Sequence, residues 1–167
     1  MDLGIKGKVA LVTGGSRGLG RQAALSLAAE GVNVAICGRT KDTLDGTVSD
    51  IKALGVDSLS VVADVSDQTS LDSLHAQVVA GLGPVDILVN NAGGSRARTD
   101  IAETSLDDYK ATFDLNLFGS FQLMRLAIPH MRSQGWGRII NIASIWGREQ
   151  GGNISYMSAK AALIAEE

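Results

Sequence analysis

The sequence predicts an α/β domain built on a doubly wound parallel sheet, and three observations carry that prediction. Five short, mostly apolar runs (9–12, 32–37, 59–63, 85–89 and 138–143) alternate with longer segments of helical character. Near-continuous apolarity, in place of strict alternation, marks strands buried on both faces. The segments that carry chemistry all fall where those runs end, which is where such sheets bind ligands. Right-handed crossovers then reduce the topologies to the doubly wound one.

Composition bounds the rest. With 167 residues the chain suits one domain, 1–167, large enough for a real core. Hydrophobic residues make up 45% and charged residues 20%, an ordinary globular balance. A net charge of -3 with no basic block argues against nucleic acid as a partner. Cys37 is the only cysteine, so no internal disulfide is possible, and it is expected as a small buried hydrophobe. No apolar run approaches the roughly 18 residues a membrane span needs, and the N-terminus lacks a signal-like core. The expectation is a cytoplasmic protein without a membrane partner. His75 reads as helix surface and His130 as a helix C-terminal residue, and their spacing predicts no metal site.

Taken in order, residues 9–12 form a first strand that breaks into Thr13-Gly14-Gly15-Ser16-Arg17-Gly18-Leu19-Gly20. An Ala- and Leu-rich helix follows over 21–30 and ends at Gly31. Residues 32–37 read as the second strand, 41–54 as an amphipathic helix ending at Gly55, and 59–63 as the third strand. Asp67 can cap a helix through Ala80, with Gly81, Gly83 and Pro84 as its punctuation. The fourth strand, 85–89, runs into Asn90-Asn91-Ala92-Gly93-Gly94, and a polar segment without clear period covers 95–104. Ser105 can cap a long helix with Tyr109, Phe113, Leu117, Phe121, Met124 and Ile128 on one stripe, closed by Pro129 and Gly135. The fifth strand spans 138–143, and a last helix opens near Ser155.

Strand, glycine loop and helix together aim free helix N-terminal N–H groups at a phosphate. Gly18, Gly20 and Ala23 match a G-x-G-x-x-G/A string, but that string begins too far from the strand, so Gly14 must make the tight turn. Read as Thr13-Gly14-x-x-x-Gly18-x-Gly20, the loop resembles the cofactor fingerprint of the short-chain dehydrogenase/reductase family. The resemblance implies a Rossmann-type sheet and a nicotinamide dinucleotide whose pyrophosphate the loop wraps. It brings Gly14, Ser16, Arg17, Gly18, Leu19 and Gly20 to the cofactor. Asp64 and Val65, after the third strand, would take the adenine; the alternative for Asp64 is helix capping. Asn90, Asn91, Ala92 and Gly93 match the family's N-N-A-G motif, in which Asn90 braces the sheet while Ala92 and Gly93 let the backbone approach the cofactor.

Charge selects the cofactor. A ribose 2′-hydroxyl calls for a carboxylate after the second strand, a 2′-phosphate for a cation. Here the carboxylate position holds Gly38, with Arg39 beside it and Arg17 in the loop. Two guanidiniums can hold a dianion through forked hydrogen bonds, so NADP (NADPH) is expected.

Tyr156 and Lys160 stand four apart, on one helix face. A tyrosine titrates near ~10, and a neighbouring cation brings it toward a useful range. Ser144 ends the fifth strand twelve residues before Tyr156, close to the family spacing, without the flanking glycines of a hydrolase elbow. It reads either as a strand-end cap or as the hydroxyl that binds a substrate carbonyl. Asn116 lies beside the apolar stripe, as a satisfied core residue or, by the resemblance, as the group that links Lys160 to solvent. The resemblance makes Asn116, Ser144, Tyr156 and Lys160 a catalytic tetrad, with Tyr156 and Lys160 also holding the cofactor. Trp146 and Arg148 are candidates for the substrate pocket, and Arg96 and Arg98 could suit an acidic partner.

The expected function is NADP-dependent hydride transfer between nicotinamide and a carbonyl or secondary alcohol, as in 3-oxoacyl-acyl-carrier-protein reductases acting on acyl thioesters. Sugar or polyol dehydrogenation in the same family, a truncated nucleotide-binding module without activity, and another enzyme on this fold, such as a methyltransferase, are the alternatives. Family members continue beyond the helix at Ser155, so the sheet is expected to be truncated there, leaving 138–143 as an exposed apolar edge. A homo-oligomer, dimer or tetramer, is what the resemblance implies for assembly.

Overall fold

The computed structural model describes residues 2–95 and 100–166. Arg96 and Arg98 lie outside the described residues. Five parallel strands, β1 (Val9–Thr13), β2 (Asn33–Gly38), β3 (Ser58–Val62), β4 (Ile87–Asn90) and β5 (Arg138–Asn141), form one sheet in the order β3-β2-β1-β4-β5. The order reverses direction at β1 and β4, which opens a crevice at the carboxyl ends of those two strands.

Helices cover both faces, as parallel strands require. On one face, α1 (Gly18–Ala29) and α2 (Lys41–Lys52) bury Ala24, Ala28, Leu44 and Ile51 against Ala10, Val12, Val34, Ile36 and Val89. On the other, α3 (Gln68–Leu82) and α5 (Gly119–Ser133) pack Leu71, Leu74, Val78, Leu123 and Ala127 against Leu11, Ala35, Cys37 and Leu88. Alternate residues of β1 thus serve opposite cores. Cys37 is buried there, and burial pushes its thiol up to about 12, so it is an inert packing group.

The expected helix beginning at Arg21 instead starts at Gly18, so Gly18, Leu19 and Gly20 form its first turn and only residues 14–17 remain as loop. Asp67 and Ser105 cap as expected, accepting from Thr69 N and Asp108 N, but α3 runs through Gly81 and stops at Gly83, whose φ is 104°.

The long helix departs most from expectation. It comprises α4 (Leu106–Phe113), a π-helical turn (Asp114–Phe118) and α5. A π turn widens the spiral by one residue and rotates all that follows. The predicted stripe holds only in part: Leu117 and Met124 are buried and Ile128 packs against the core, but Phe121 is 47% exposed, and Leu123, Ala127 and Met131 join the buried face. Pro129 does not end the helix but sits inside its last turns on an exposed position.

A 3₁₀ turn (Ile145–Gly147) and α6 (Ile154–Ala165) follow β5. As the sequence implies, β5 is a sheet edge, with Ile140 44% exposed. No helix among the described residues is long and apolar enough to cross a membrane.

Candidate active site

A cleft of about 470 Å³ opens at the carboxyl ends of β1, β2, β3 and β4. Gly14, Ser16, Arg17, Arg39, Asp64, Val65, Ala92 and Gly93, all singled out in the sequence, line it. Gly18, Leu19, Gly20 and Asn90 do not: Gly20 packs on the loop from behind and Asn90 braces β4 to β5, while Leu19 is 73% exposed. Thr40, Thr43, Ser95 and Leu115 also line the cleft and carry no motif that would mark them beforehand.

The loop is shaped by steric need. Gly14 has φ of 64°, and a Cβ there would lie 2.9 Å from Asn91 Nδ2. A Cβ on Gly20 would run into Gly14 O and Asn91 Nδ2, so the α1 backbone rests directly on the loop. Thr13 and Asn91 weld this corner together. Thr13 Oγ1 accepts from Asn91 N at 3.0 Å and Ala92 N at 2.9 Å, while Asn91 Nδ2 donates to Thr13 O at 2.9 Å. Both belong to the quoted motifs, yet their mutual contact is tertiary and has no sequence signature.

Helix N-termini here differ in one respect that bears on binding. Asp67, Ser105 and Asn153 cap α3, α4 and α6 through side chains, but Arg17 makes no such bond at α1, and the first turn of α1 holds no acidic residue. Uncapped first-turn N–H groups beside a cleft suit a phosphate. Arg17, Gly38 and Arg39 line the same cleft. The residues present therefore fit a dinucleotide. Asp64 Oδ1 accepts from Ser66 N at 2.9 Å and Ser66 Oγ at 2.6 Å. Helix capping falls to Asp67, not to Asp64.

Behind the cleft, Asn116 is fully buried in the π turn. Its Nδ2 donates to Gly94 O at 2.6 Å and Thr112 O at 2.8 Å, and its Oδ1 accepts from Gly94 N at 3.0 Å. Asn116 and Lys160 meet at Gly93: a Cβ on that glycine would lie 2.7 Å from Asn116 Oδ1 and 3.3 Å from Lys160 Nζ. Lys160 is itself buried, donates to Ile142 O at 2.7 Å, and has its pKa lowered by loss of water. The Tyr156 ring centroid is 5.7 Å from that ammonium. Ser144 caps the 3₁₀ turn, its Oγ accepting from Trp146 N at 3.3 Å, and the turn packs on α6. Asn90 braces β4 to β5 by donating from Nδ2 to Asn141 Oδ1 at 2.9 Å. His75 is half-buried with a lowered pKa caused by burial, and His130 contacts Asp86 at 3.3 Å on the far side of the sheet. Among the described residues no three of His, Cys, Asp and Glu gather as a metal site.

Known proteins resemble this chain in sequence and fold. A family model described as short chain dehydrogenase matches residues 8–165. A 3-oxoacyl-[acyl-carrier-protein] reductase of Staphylococcus aureus is 40% identical over 159 residues, covering 94% of this chain and 64% of that protein. L-sorbose reductase from Gluconobacter frateurii, solved with NADPH and L-sorbose, superposes with TM-score 0.93 at 34% identity, over 99% of this chain and 63% of that one. A xylitol dehydrogenase solved with NAD+ superposes with TM-score 0.89 at 32% identity, over 96% of this chain and 62% of that one. The chain spans from 48% to 64% of the length of these curated relatives. With a family match over nearly its whole length, the chain belongs to the short chain dehydrogenase family.

Proposed function

We propose that this chain carries the cofactor and proton-transfer half of an NADP-dependent carbonyl reductase, with a 3-oxoacyl thioester as substrate. The observation that carries the reading is a buried lysine ammonium facing a tyrosine ring beside a cleft lined by two arginines, one of which, Arg17, is the N-cap residue of α1. Arg17 and Arg39 bind the 2′-phosphate, the first turn of α1 and the loop at Gly14 bind the pyrophosphate, and Asp64 and Val65 bind the adenine. Nicotinamide, when bound, supplies a hydride to the substrate carbonyl carbon.

The chain's own groups manage the proton. Tyr156 Oη gives its proton to the carbonyl oxygen as that oxygen becomes an alkoxide. Ser144 Oγ accepts from Trp146 N and so keeps its own proton free to bond the same oxygen. Lys160 favours the phenolate left on Tyr156 and holds the nicotinamide ribose. Asn116 fixes the backbone at Gly94 and closes the site behind Lys160.

Reduction of a sugar or polyol ketone is the second reading, favoured by the likeness to L-sorbose reductase and xylitol dehydrogenase. NADPH oxidation with acetoacetyl thioesters against L-sorbose and polyols separates the two. Tyr156→Phe is expected to leave NADPH binding nearly intact and abolish turnover; retained turnover would overturn the role of Tyr156. The same reading makes the protein a cytoplasmic homo-oligomer, dimer or tetramer, and the exposed Phe118 and Phe121 on one helical surface support self-association.

A further inference from the structure

Two buried hydroxyls join the helix that carries Tyr156 to the helix that carries Asn116. Thr112, in the last turn of α4, and Ser155, in the first turn of α6, both have no solvent exposure. Ser155 Oγ approaches Thr112 Oγ1 at 3.3 Å and Asn153 Oδ1 at 2.8 Å, so its single proton is shared between two acceptors. Thr112 Oγ1 donates its own proton to Asp108 O at 2.8 Å and is left as an acceptor facing α6. One turn further along, Thr112 O accepts from Asn116 Nδ2 at 2.8 Å. A continuous polar path thus runs from Asn153 and Ser155 through Thr112 to Asn116 and Gly94.

We propose that Thr112 and Ser155 are positioning residues that set the height of α6 against α4, and with it the place of Tyr156 relative to Asn116 and the cleft. The proposal rests on the functional reading above for its consequence in turnover, but not for its geometry. A threonine and a serine between packed helices are an unusual choice where two methyl groups would fill the space, because each buried hydroxyl needs a partner. Their mutual bond makes the contact directional: apolar packing tolerates sliding, whereas a hydrogen bond weakens steeply when one helix slips. Ser155 is adjacent to Tyr156 in sequence, so a slip of α6 is passed to the phenol directly. Small misplacements of a reacting group are costly to rate.

The test compares Thr112→Val, which keeps size and removes the acceptor, with Thr112→Ser, which keeps the hydroxyl. Under NADPH with an acetoacetyl thioester, Thr112→Val is expected to lower kcat about fivefold to tenfold, with the KM for NADPH within about twofold of the parent. Thr112→Ser should recover most of the kcat, and Ser155→Ala should cost less in the Thr112→Val background than in the parent, the remainder being its bond to Asn153 Oδ1. Equal losses in Thr112→Val and Thr112→Ser, or an unchanged kcat in Thr112→Val, overturn the proposal. If the parent chain reduces no carbonyl substrate, the functional reading fails and the link is still decided by amide hydrogen exchange over residues 154–161. Faster exchange there in Thr112→Val, restored in Thr112→Ser, supports the link; exchange identical in all three proteins overturns it.

Discussion

Arg39 and Gly93 both line the cleft, and each can be tested by a single substitution. Arg39 lines the cleft together with Arg17 and Gly38, and in the proposed reading the two arginines bind the 2′-phosphate. Arg39→Asp replaces a forked donor by an acceptor that suits a ribose hydroxyl and repels a phosphate. The ratio of KM values for NADPH and NADH is expected to move toward NADH by at least about tenfold; an unchanged ratio would reject the arginine assignment. Gly93 is constrained differently, because a Cβ there would crowd both Asn116 Oδ1 and Lys160 Nζ. Gly93→Ala drives a methyl into the Asn116 amide and is expected to cut kcat by about a hundredfold. Its neighbour is the control: a Cβ on Gly94 meets nothing nearer than Leu115 Cδ2 at 3.8 Å, so Gly94→Ala should retain most activity. Equal losses in the two alanine variants would show that the loop merely needs flexibility.

At the scale of elements, what was readable in the sequence followed local physics. The apolar runs gave all five strands within about two residues, because burial on both faces leaves a continuous signal. Asp67 and Ser105 were readable as caps for the same reason: capping is settled by the side chain itself. The π turn was not readable, since Asp114, Leu115, Asn116, Leu117 and Phe118 contain nothing that forbids an ordinary α turn. It forms because Asn116 spends its amide on Gly94 and because Gly119 must press against Val65 O. Gly119→Ala tests that account. Helix propensity alone would make alanine stabilising by ~1 kcal/mol, whereas a Cβ in contact with Val65 O should lower Tm and loosen the cleft wall at Val65. A raised Tm would show that the close approach is dispensable.

Across the whole molecule, the common location of the motifs at the strand ends was readable but their mutual contacts were not: Thr13–Asn91, Gly93–Lys160 and Thr112–Ser155 join segments far apart in the chain. The opposite end of the sheet shows the same kind of closure, around Asp86. Its carboxylate accepts from Val9 N at 2.9 Å, Gln134 Nε2 and His130, with Lys8 Nζ at 3.9 Å, and its backbone O accepts from Arg138 N at 3.0 Å. One residue therefore ties the starts of β1, β4 and β5 to the end of α5. Burial by itself would raise the Asp86 pKa, but the hydrogen bonds from Gln134, Val9 and His130 and the charge of Lys8 outweigh it and leave the pKa lowered. A carboxyl group whose folded pKa lies below its unfolded value stabilises the fold above the unfolded pKa. That stabilisation is lost as pH falls through the folded pKa, when the protonated carboxyl loses its charged bonds with three donors and its attraction to Lys8. Thermal unfolding followed from pH 7 down to about pH 3 should show Tm falling steeply below about pH 4. Asp86→Asn keeps the shape and removes the titration, so it should unfold at a lower temperature near neutrality and lose less Tm on acidification. If the variant and the parent show the same acid slope, the pH dependence belongs to other carboxylates and Asp86 is not the hub of this end of the sheet.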